Sequence, residues 1–321
     1  MPEEEIVSLG KGALPDPYDP RDYTAEINFG AAEPINWSKP LSQPEPVDFN
    51  KRSSLSCVGC GSRNLHWAIK PKDFSRRDIY SRIFLPQGGA YLRDGVKVLC
   101  DVGNQTQDEC PDPKSPTEAL MRQKSALPDS AGADDKEMGY FVIKNNTIDA
   151  VAQAIRDFKG ASIGVTGSDA GWKDKTNPRP PKPGEPTWGH CIYAFGYHMH
   201  GGVKCIIAKS SWCSSSHKVH HIKEEYFASG NTFNGWCLIP KEDASMTNSR
   251  LVKTQVGTRP DGSPIYEYGF WDPDTAPDAL ISDMRNRGIT PPLYPDGHPQ
   301  AGKLDWDRVE NMVSGVIIPN K

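Results

Sequence analysis

Apolar and polar positions follow two periods along this chain, and the change of period divides it. Between residues 57 and 158 the spacing is helical. Val58, Leu65 and Ala68 are apolar with polar Arg63 and Asn64 between them, which predicts a helix starting near Ser56 or Cys57. Pro71 disfavours helical geometry at Lys70, so this helix ends there. Within residues 73–84, Ile79, Tyr80, Ile83 and Phe84 make a helical stripe that Gly88-Gly89 breaks. Residues 91–100 read as a further short helix, ended by Gly103, and residues 105–137 read as polar, Pro-containing loop. Ile148, Val151, Ala154, Ile155 and Phe158 mark an amphipathic helix with Thr147 as its cap and Gly160 as its stop.

From residue 161 the pattern becomes strand-like. Residues 161–166 predict a strand, and residues 172–186 a basic, proline-rich flap. Residues 188–197 read as a buried strand with His190 at its start. After a turn at Gly201-Gly202, residues 203–212 form a second strand ending in a polar and aromatic cluster. Residues 219–227 and 235–240 complete a β half. Upstream, residues 1–13 read as a flexible end and residues 14–23 as a proline-spaced extended arm. Residues 35–49 are extended and interrupted by Pro40, Pro44 and Pro46. Downstream, Pro260-Asp261-Gly262 between short polar and aromatic runs predicts a hairpin over residues 256–268. Residues 278–286 predict a short helix in a tail otherwise rich in Pro and Gly.

Two positions in this pattern carry chemistry. A cysteine at a helix N-terminus faces unpaired backbone N–H groups and the positive end of the helix dipole, which favour the thiolate nucleophile. Cys57 is so placed. It needs a base, and His190 stands 133 residues on (190 − 57), within the ~130–150 residues that separate a papain-type cysteine from its histidine.

The chain here resembles the papain-like cysteine peptidases. Gly189-His190, an apolar strand and Gly196-Tyr197 are similar to the family's histidine segment. Lys209-Ser210-Ser211-Trp212 is similar to its Lys-Asn-Ser-Trp segment. Residues 50–57, Asn-Lys-Arg-Ser-Ser-Leu-Ser-Cys, match the Asn-Gln-Gly-Ser-Leu-x-Ser-Cys form of bacterial and phage members at equal length. The arm at residues 14–23 resembles the lead-in of members without a long propeptide. The resemblance covers roughly residues 14 to 240. It implies an α+β, two-lobed fold with a helical half carrying Cys57, a β-barrel half carrying His190 and a cleft between them. It implies domain bounds of 14–243, with residues 244–321 as an irregular extension. It also implies hydrolysis of peptide or isopeptide bonds through an acyl-enzyme, without a cofactor.

Two positions depart from the family. Ser210 stands where the family places the Asn that orients the histidine, and Lys51 where it places the Gln of the oxyanion hole. Loss of one oxyanion donor costs ~10²–10³ in rate, although both replacements keep hydrogen-bonding capacity. Trp212 corresponds to the shielding tryptophan, with Ser211 and Gly189 in supporting positions, and Cys213 replaces a glycine after it. A second registration, through Ser56-Cys57-Val58-Gly59-Cys60, makes Cys60 the nucleophile instead. The ungapped upstream match favours Cys57.

Composition narrows the rest. Gly and Pro number 29 each, which argues for long loops. A net charge of −4 without a basic block gives no support for nucleic-acid binding. No apolar run approaches ~18–20 residues, so no membrane span is expected. The acidic Met1-Pro2-Glu3-Glu4-Glu5 start is no secretory signal, and a cytoplasmic or virion-associated location is expected. Most of the eight cysteines then read as reduced, with Cys100 and Cys110 able to pair in an oxidising setting. Cys100, Cys191, Cys205 and Cys237 have the apolar flanks of small buried hydrophobes. No metal is assigned, because Cys57-x-x-Cys60, His198-x-His200 and His217/His220/His221 have no settled ligand spacing, and these histidines read as solvated loop residues. Two functions stand: a cysteine peptidase acting on a peptide or protein substrate, or a weakly active or inactive papain-like binding or structural component, as in a phage virion. The extension at residues 244–321 reads equally as a docking arm for an assembly partner, a groove cover or an irregular wrap.

Overall fold

The computed structural model describes residues 12–19, 34–46, 53–137, 139–143, 146–212 and 219–240, and the backbone of 250–258 and 264–271. The chain divides into two compact units, Met1–Asp22 with Glu33–Pro240, and Tyr23–Ala32 with Lys241–Lys321.

The first unit is α+β. Its helical part comprises α1 (Cys57–Ile69), α2 (Arg76–Ile83), α3 (Leu92–Asp101) and the short α4 (Glu118–Met121). The helix start at Cys57 and stop before Pro71 are as the pattern requires. Ser75 caps α2 by accepting from the Asp78 amide at 3.1 Å. Residues 105–137 are not all loop: besides α4 they contain a 3-10 helix, Asp129–Asp135. Both are too short to show apolar periodicity. Their signals are local, such as Thr117 capping α4 through the Leu120 amide. α5 (Ile148–Phe158) has the expected Thr147 cap, but it closes on Lys159 in the left-handed region (φ 63) rather than on Gly160.

The β part is a seven-stranded antiparallel sheet in the order β4-β9-β5-β6-β7-β8, with β2 also paired to β6. These strands are β2 (Leu41–Ser42), β4 (Gly139–Ile143), β5 (Ala161–Gly167), β6 (Trp188–His200), β7 (Val203–Lys209), β8 (His220–Lys223) and β9 (Thr232–Ile239). Its end strands β4 and β8 do not pair with each other among the described residues, so the β half is an open sheet rather than a closed ladder. Irregularities at Ile163/Gly164 and Ala194/Gly196 bend it. The stretch after β8 turns into a short helix, α6 (Glu224–Ala228), before β9.

α1 joins the two parts. Val58 and Leu65 pack with Ile79, Tyr80, Val96 and Leu99 of the helices and with Cys191, Tyr193 and Phe195 of β6. Glycines set how closely it sits. A Cβ on Gly61 would lie 2.6 Å from Cys191 Sγ and 3.1 Å from Ser162 Oγ. On the opposite side, one on Gly59 would lie 2.8 Å from the Arg76 carbonyl oxygen. A helical glycine costs ~1 kcal/mol relative to alanine, and here it permits backbone-close packing on two layers.

The N-terminal arm belongs to this unit. Strand β1 (Ala13–Leu14) lies parallel to β3 (Ala90–Tyr91), and the Ala90 amide donates to the Gly12 carbonyl at 3.0 Å. Asp16 anchors it. Its carboxylate accepts from Trp236 Nε1 at 2.6 Å and from the Arg93 amide at 3.1 Å, and its own amide donates to Asn234 Oδ1 at 2.8 Å. Burial pushes the Asp16 carboxyl up to about 6, against the opposing pull of the Arg93 amide and the Trp236 indole.

Cys100 and Cys110 are both free thiols, so the local disulfide is not formed. In the second unit, β10 (Arg250–Thr258) and β11 (Pro264–Trp271) pair antiparallel from Arg250↔Trp271 to Thr258↔Pro264. That is the expected hairpin, and its Pro260-Asp261-Gly262 turn lies outside the described residues, as do residues 1–11 and 278–286. No helix among the described residues is long and apolar enough to cross a membrane.

Two outcomes follow from this packing. Gly61→Ala adds helix propensity, yet it should destabilise the protein by about 1–3 kcal/mol through overpacking against Cys191. The denaturant midpoint measures this, and a neutral or stabilising result would refute the close contact. For Asp16, a folded value of about 6 against 3.8 when free means that the docked arm binds the extra proton. Docking is therefore strongest below about pH 3.8 and weakens as pH rises to about 6, with no further change above. Hydrogen exchange at the Ala90 amide, corrected for its intrinsic rate, should show more protection at pH 4 than at pH 7, and Asp16→Asn should remove that difference.

Candidate active site

Cys57 is the first residue of α1 and is fully buried. The turn before it is held by one carboxylate. Glu118 accepts from the Leu55 amide at 2.7 Å with one oxygen and from the Tyr80 hydroxyl at 2.6 Å with the other. The Gly89 amide in turn donates to the Tyr80 oxygen at 3.1 Å. Ser56 Oγ lies 2.7 Å from Ser54 Oγ and makes no cap bond, so no side-chain oxygen caps the first turn of α1.

Cys60 sits one turn further along, buried, with Arg76 Nη1 3.9 Å from its sulfur. Arg76 is itself paired to Asp112 at 2.9 Å. Cys60 thus belongs to the layer between α1 and α2.

His190 lies in β6 opposite Val165, with no exposed surface. The Trp212 ring lies flat on its imidazole, with centroids 3.8 Å apart and planes within 3°. Trp172 and Trp188 meet it edge-on at 6.1 and 6.3 Å. The outer atoms of this box are tied down: Trp188 Nε1 donates to Asp169 at 2.9 Å and Trp172 Nε1 to the Tyr226 hydroxyl at 2.8 Å. The imidazole is therefore enclosed by apolar ring faces and edges, which exclude water from it.

Ser210 is buried next to this box. Its Oγ accepts from the Trp212 amide at 3.1 Å and lies 2.7 Å from His220 Nε2. Ser211 is buried, and its hydroxyl has no hydrogen-bond partner among the described residues. Lys51 and Cys213 lie outside the described residues.

The N-terminal arm passes over the cysteine and the start of β6. A Cβ on Gly12 would lie 2.6 Å from Cys57 Sγ, and one on Gly189 would collide with the Ala13 carbonyl oxygen. Gly189 therefore has a steric role here: it makes room for the backbone of the arm.

Two features were not foreseen. One is the arm itself reaching Cys57. The other is His220, which is only 2 % exposed and so is not a solvated loop residue. The alternation of β8 contained the signal, since His220 and Ile222 share the buried phase. His198 and His221 also lie on strands, with His198 Nε2 3.0 Å from His221 Nδ1. Burial first, and neighbouring histidine charge after it, lower both from the ordinary histidine value. Among the described residues no group of three or more His, Cys, Asp or Glu is arranged to hold a metal ion.

No family model matches the sequence, and no curated protein matches it. Solved structures do. Xylellain, a cysteine protease from Xylella fastidiosa, superimposes with a TM-score of 0.61 at 16% identity, over 73% of this chain and 97% of that one. The digestive procathepsin L2 proteinase of Tenebrio molitor gives 0.58 at 13%, over 74% and 81%. The bromelain protease of Ananas comosus, solved with the E64 inhibitor, gives 0.50 at 13%, over 64% and 100%. Across residues that share little sequence with these proteins, the chain has the fold of the papain-like cysteine peptidases.

Proposed function

We propose that this protein is a cysteine peptidase with Cys57 as nucleophile and His190 as base. The observation that carries the reading is the arm. An extended segment of polypeptide lies against Cys57 at Gly12 and against Gly189 at Ala13, and Gly12 accepts a backbone hydrogen bond from Ala90. Backbone partners that hold one extended segment beside Cys57 are of the kind that would hold a peptide substrate.

In this reading Cys57 Sγ attacks the scissile carbonyl carbon while His190 accepts the thiol proton. His190 then gives that proton to the leaving amine, and water releases the acyl group from the thioester. The flat Trp212 face keeps water from the imidazole. Cys57 is preferred over Cys60 because it heads the helix and meets the arm, whereas Cys60 faces Arg76 between two helices. Lys51 and Ser210 would complete the oxyanion and orienting positions.

A second reading rests on the same arm. A segment lying over Cys57 also suits a papain-like binding or structural component, such as a virion protein, that holds its own chain where a substrate would go. The extension at residues 244–321 would then face an assembly partner.

The separating experiment is labelling by a thiol-directed epoxide at neutral pH with mass mapping of the modified cysteine. It compares the wild type, Cys57→Ala and His190→Ala, each with and without Asp16→Ala to loosen the arm. An isolated thiol is only a few per cent thiolate at pH 7. Modification at Cys57 should thus be at least about tenfold slower in His190→Ala, and faster when Asp16 is lost. Labelling at Cys60 would reassign the nucleophile. Slow labelling that ignores His190 even with the arm loosened would leave the binding or structural reading.

A further inference from the structure

We infer that Glu185 is a positioning residue: it braces the loop between β5 and β6 so that the Trp172 ring stays against His190; this rests on the peptidase reading above. The Glu185 carboxylate accepts four hydrogen bonds from one loop. Ser168 Oγ donates at 2.6 Å, Arg179 Nη1 and Nη2 at 3.0 and 2.6 Å, and the Lys182 amide at 3.0 Å. A carboxylate can only accept, so Ser168 gives it the hydroxyl hydrogen and keeps its oxygen as an acceptor. That oxygen receives the Gly171 amide at 3.0 Å. The Gly171 carbonyl accepts from the Arg179 amide at 3.0 Å, and the Trp172 amide donates to the Ser168 carbonyl at 2.9 Å. The two residues that Glu185 grips by their side chains therefore hold, on both sides, the backbone that carries Trp172.

The fit around this loop is close. A Cβ on Gly171 would lie 2.6 Å from the Arg179 carbonyl oxygen, and one on Gly167 would lie 2.2 Å from Trp188 Cη2 and 2.8 Å from Trp172 Nε1. Both indoles thus lie over Gly167, with centroids 5.4 Å apart, and both meet the His190 ring edge-on. Trp188 is fixed by its place in β6 opposite Gly167. Trp172 stands in the loop itself, so its place depends on how the loop is held. An isolated exposed ion pair contributes little, and the Arg179 and Glu185 side chains are 34% and 20% exposed. Glu185 differs from such a pair because Ser168 and Lys182 add to the Arg179 bonds. Together these donors, Arg179 first, hold its carboxyl down at about 2, so it is fully ionised at neutral pH. A buried base keeps its orientation and its dryness only if the groups around it are themselves supported. Without Glu185, Ser168 and Arg179 lose their shared acceptor, and the Trp172 side of the box opens to water.

The test uses the full chain and two readouts. The first is exchange of the His190 ring N–H with water, read from the imidazole ¹⁵N–¹H spectrum of the Cys57→Ala protein at neutral pH. Enclosure should make this exchange slow. Glu185→Ala and Arg179→Ala should each speed it at least tenfold, and the double variant should add less than twofold to either, because both remove the same brace. Glu185→Gln, which keeps an acceptor for Ser168 without the ion pair, should fall between. Asp112→Ala removes the partner of Arg76 in the helical part; it should destabilise the protein without speeding the exchange. The second readout is epoxide labelling of Cys57. Glu185→Ala should slow it at least threefold, yet change it less than twofold in a His190→Ala background, since Glu185 acts only through the imidazole. Unchanged exchange in the Glu185 and Arg179 variants, fully multiplicative effects in the double variant, or equal speeding by Asp112→Ala would each overturn the assignment. So would equal slowing of labelling with and without His190. Any of these, with wild-type labelling still dependent on His190, removes the role of Glu185 alone. A wild type whose labelling ignores His190 would instead fell the peptidase reading.

Discussion

The seating of α1 on β6 is the constraint on which the rest depends. Cys57 stands at the first position of that helix and His190 in that strand, so their separation follows from how closely the two elements pack. Gly61 against Cys191 and Ser162, and Gly59 against the Arg76 backbone, let the helix sit deeper than any side chain would allow. Interiors are packed close to crystal density and do not yield smoothly to extra atoms. One methyl group at position 61 therefore presses on the whole joint between the helical layer and the sheet. Burial of Val58 and Leu65 on that joint supplies the attraction, and the glycines supply the fit.

Around this joint the polar groups are arranged with little slack. Glu118 ties the turn before Cys57 to Tyr80, and Tyr80 to Gly89. On the other side, three indoles enclose His190, and those of Trp188 and Trp172 donate outward to Asp169 and Tyr226. Burying an imidazole in such a box makes the polarity of its few partners matter, because unmatched donors and acceptors are costly where water cannot substitute. Next to this box the Ser210 hydroxyl and the buried His220 of β8 share one hydrogen bond of 2.7 Å. The same logic applies to the arm, where a half-buried aspartate with two donors fastens an extended segment.

Much of the fold was legible along the chain. The α1, α2, α3 and α5 helices announced themselves through apolar spacing and their stops, and β5, β6 and β7 through continuous apolar runs between Gly-rich turns. The places of Cys57 at a helix start and His190 near a strand start were legible for a different reason: local sequence specifies where helices and strands begin. The short α4 and the 3-10 helix were not, because four to seven residues complete too few turns to show a period. His220 was misread for a related reason. With only four residues in β8, two histidines in a row hide which of them faces inward.

By itself, then, the sequence determined most of the elements and the order in which Cys57 and His190 arrive along the chain. These are local properties, set by side-chain size, backbone freedom and spacing. Only the tertiary structure decided that residues 12–13 lie on Cys57 and Gly189, that the sheet stays open between β4 and β8, and that His220 stands behind Ser210. Each of those joins positions far apart along the chain or on different strands. Such pairings depend on the register of strands and on the depth to which a helix sinks, and no single stretch of residues carries that information.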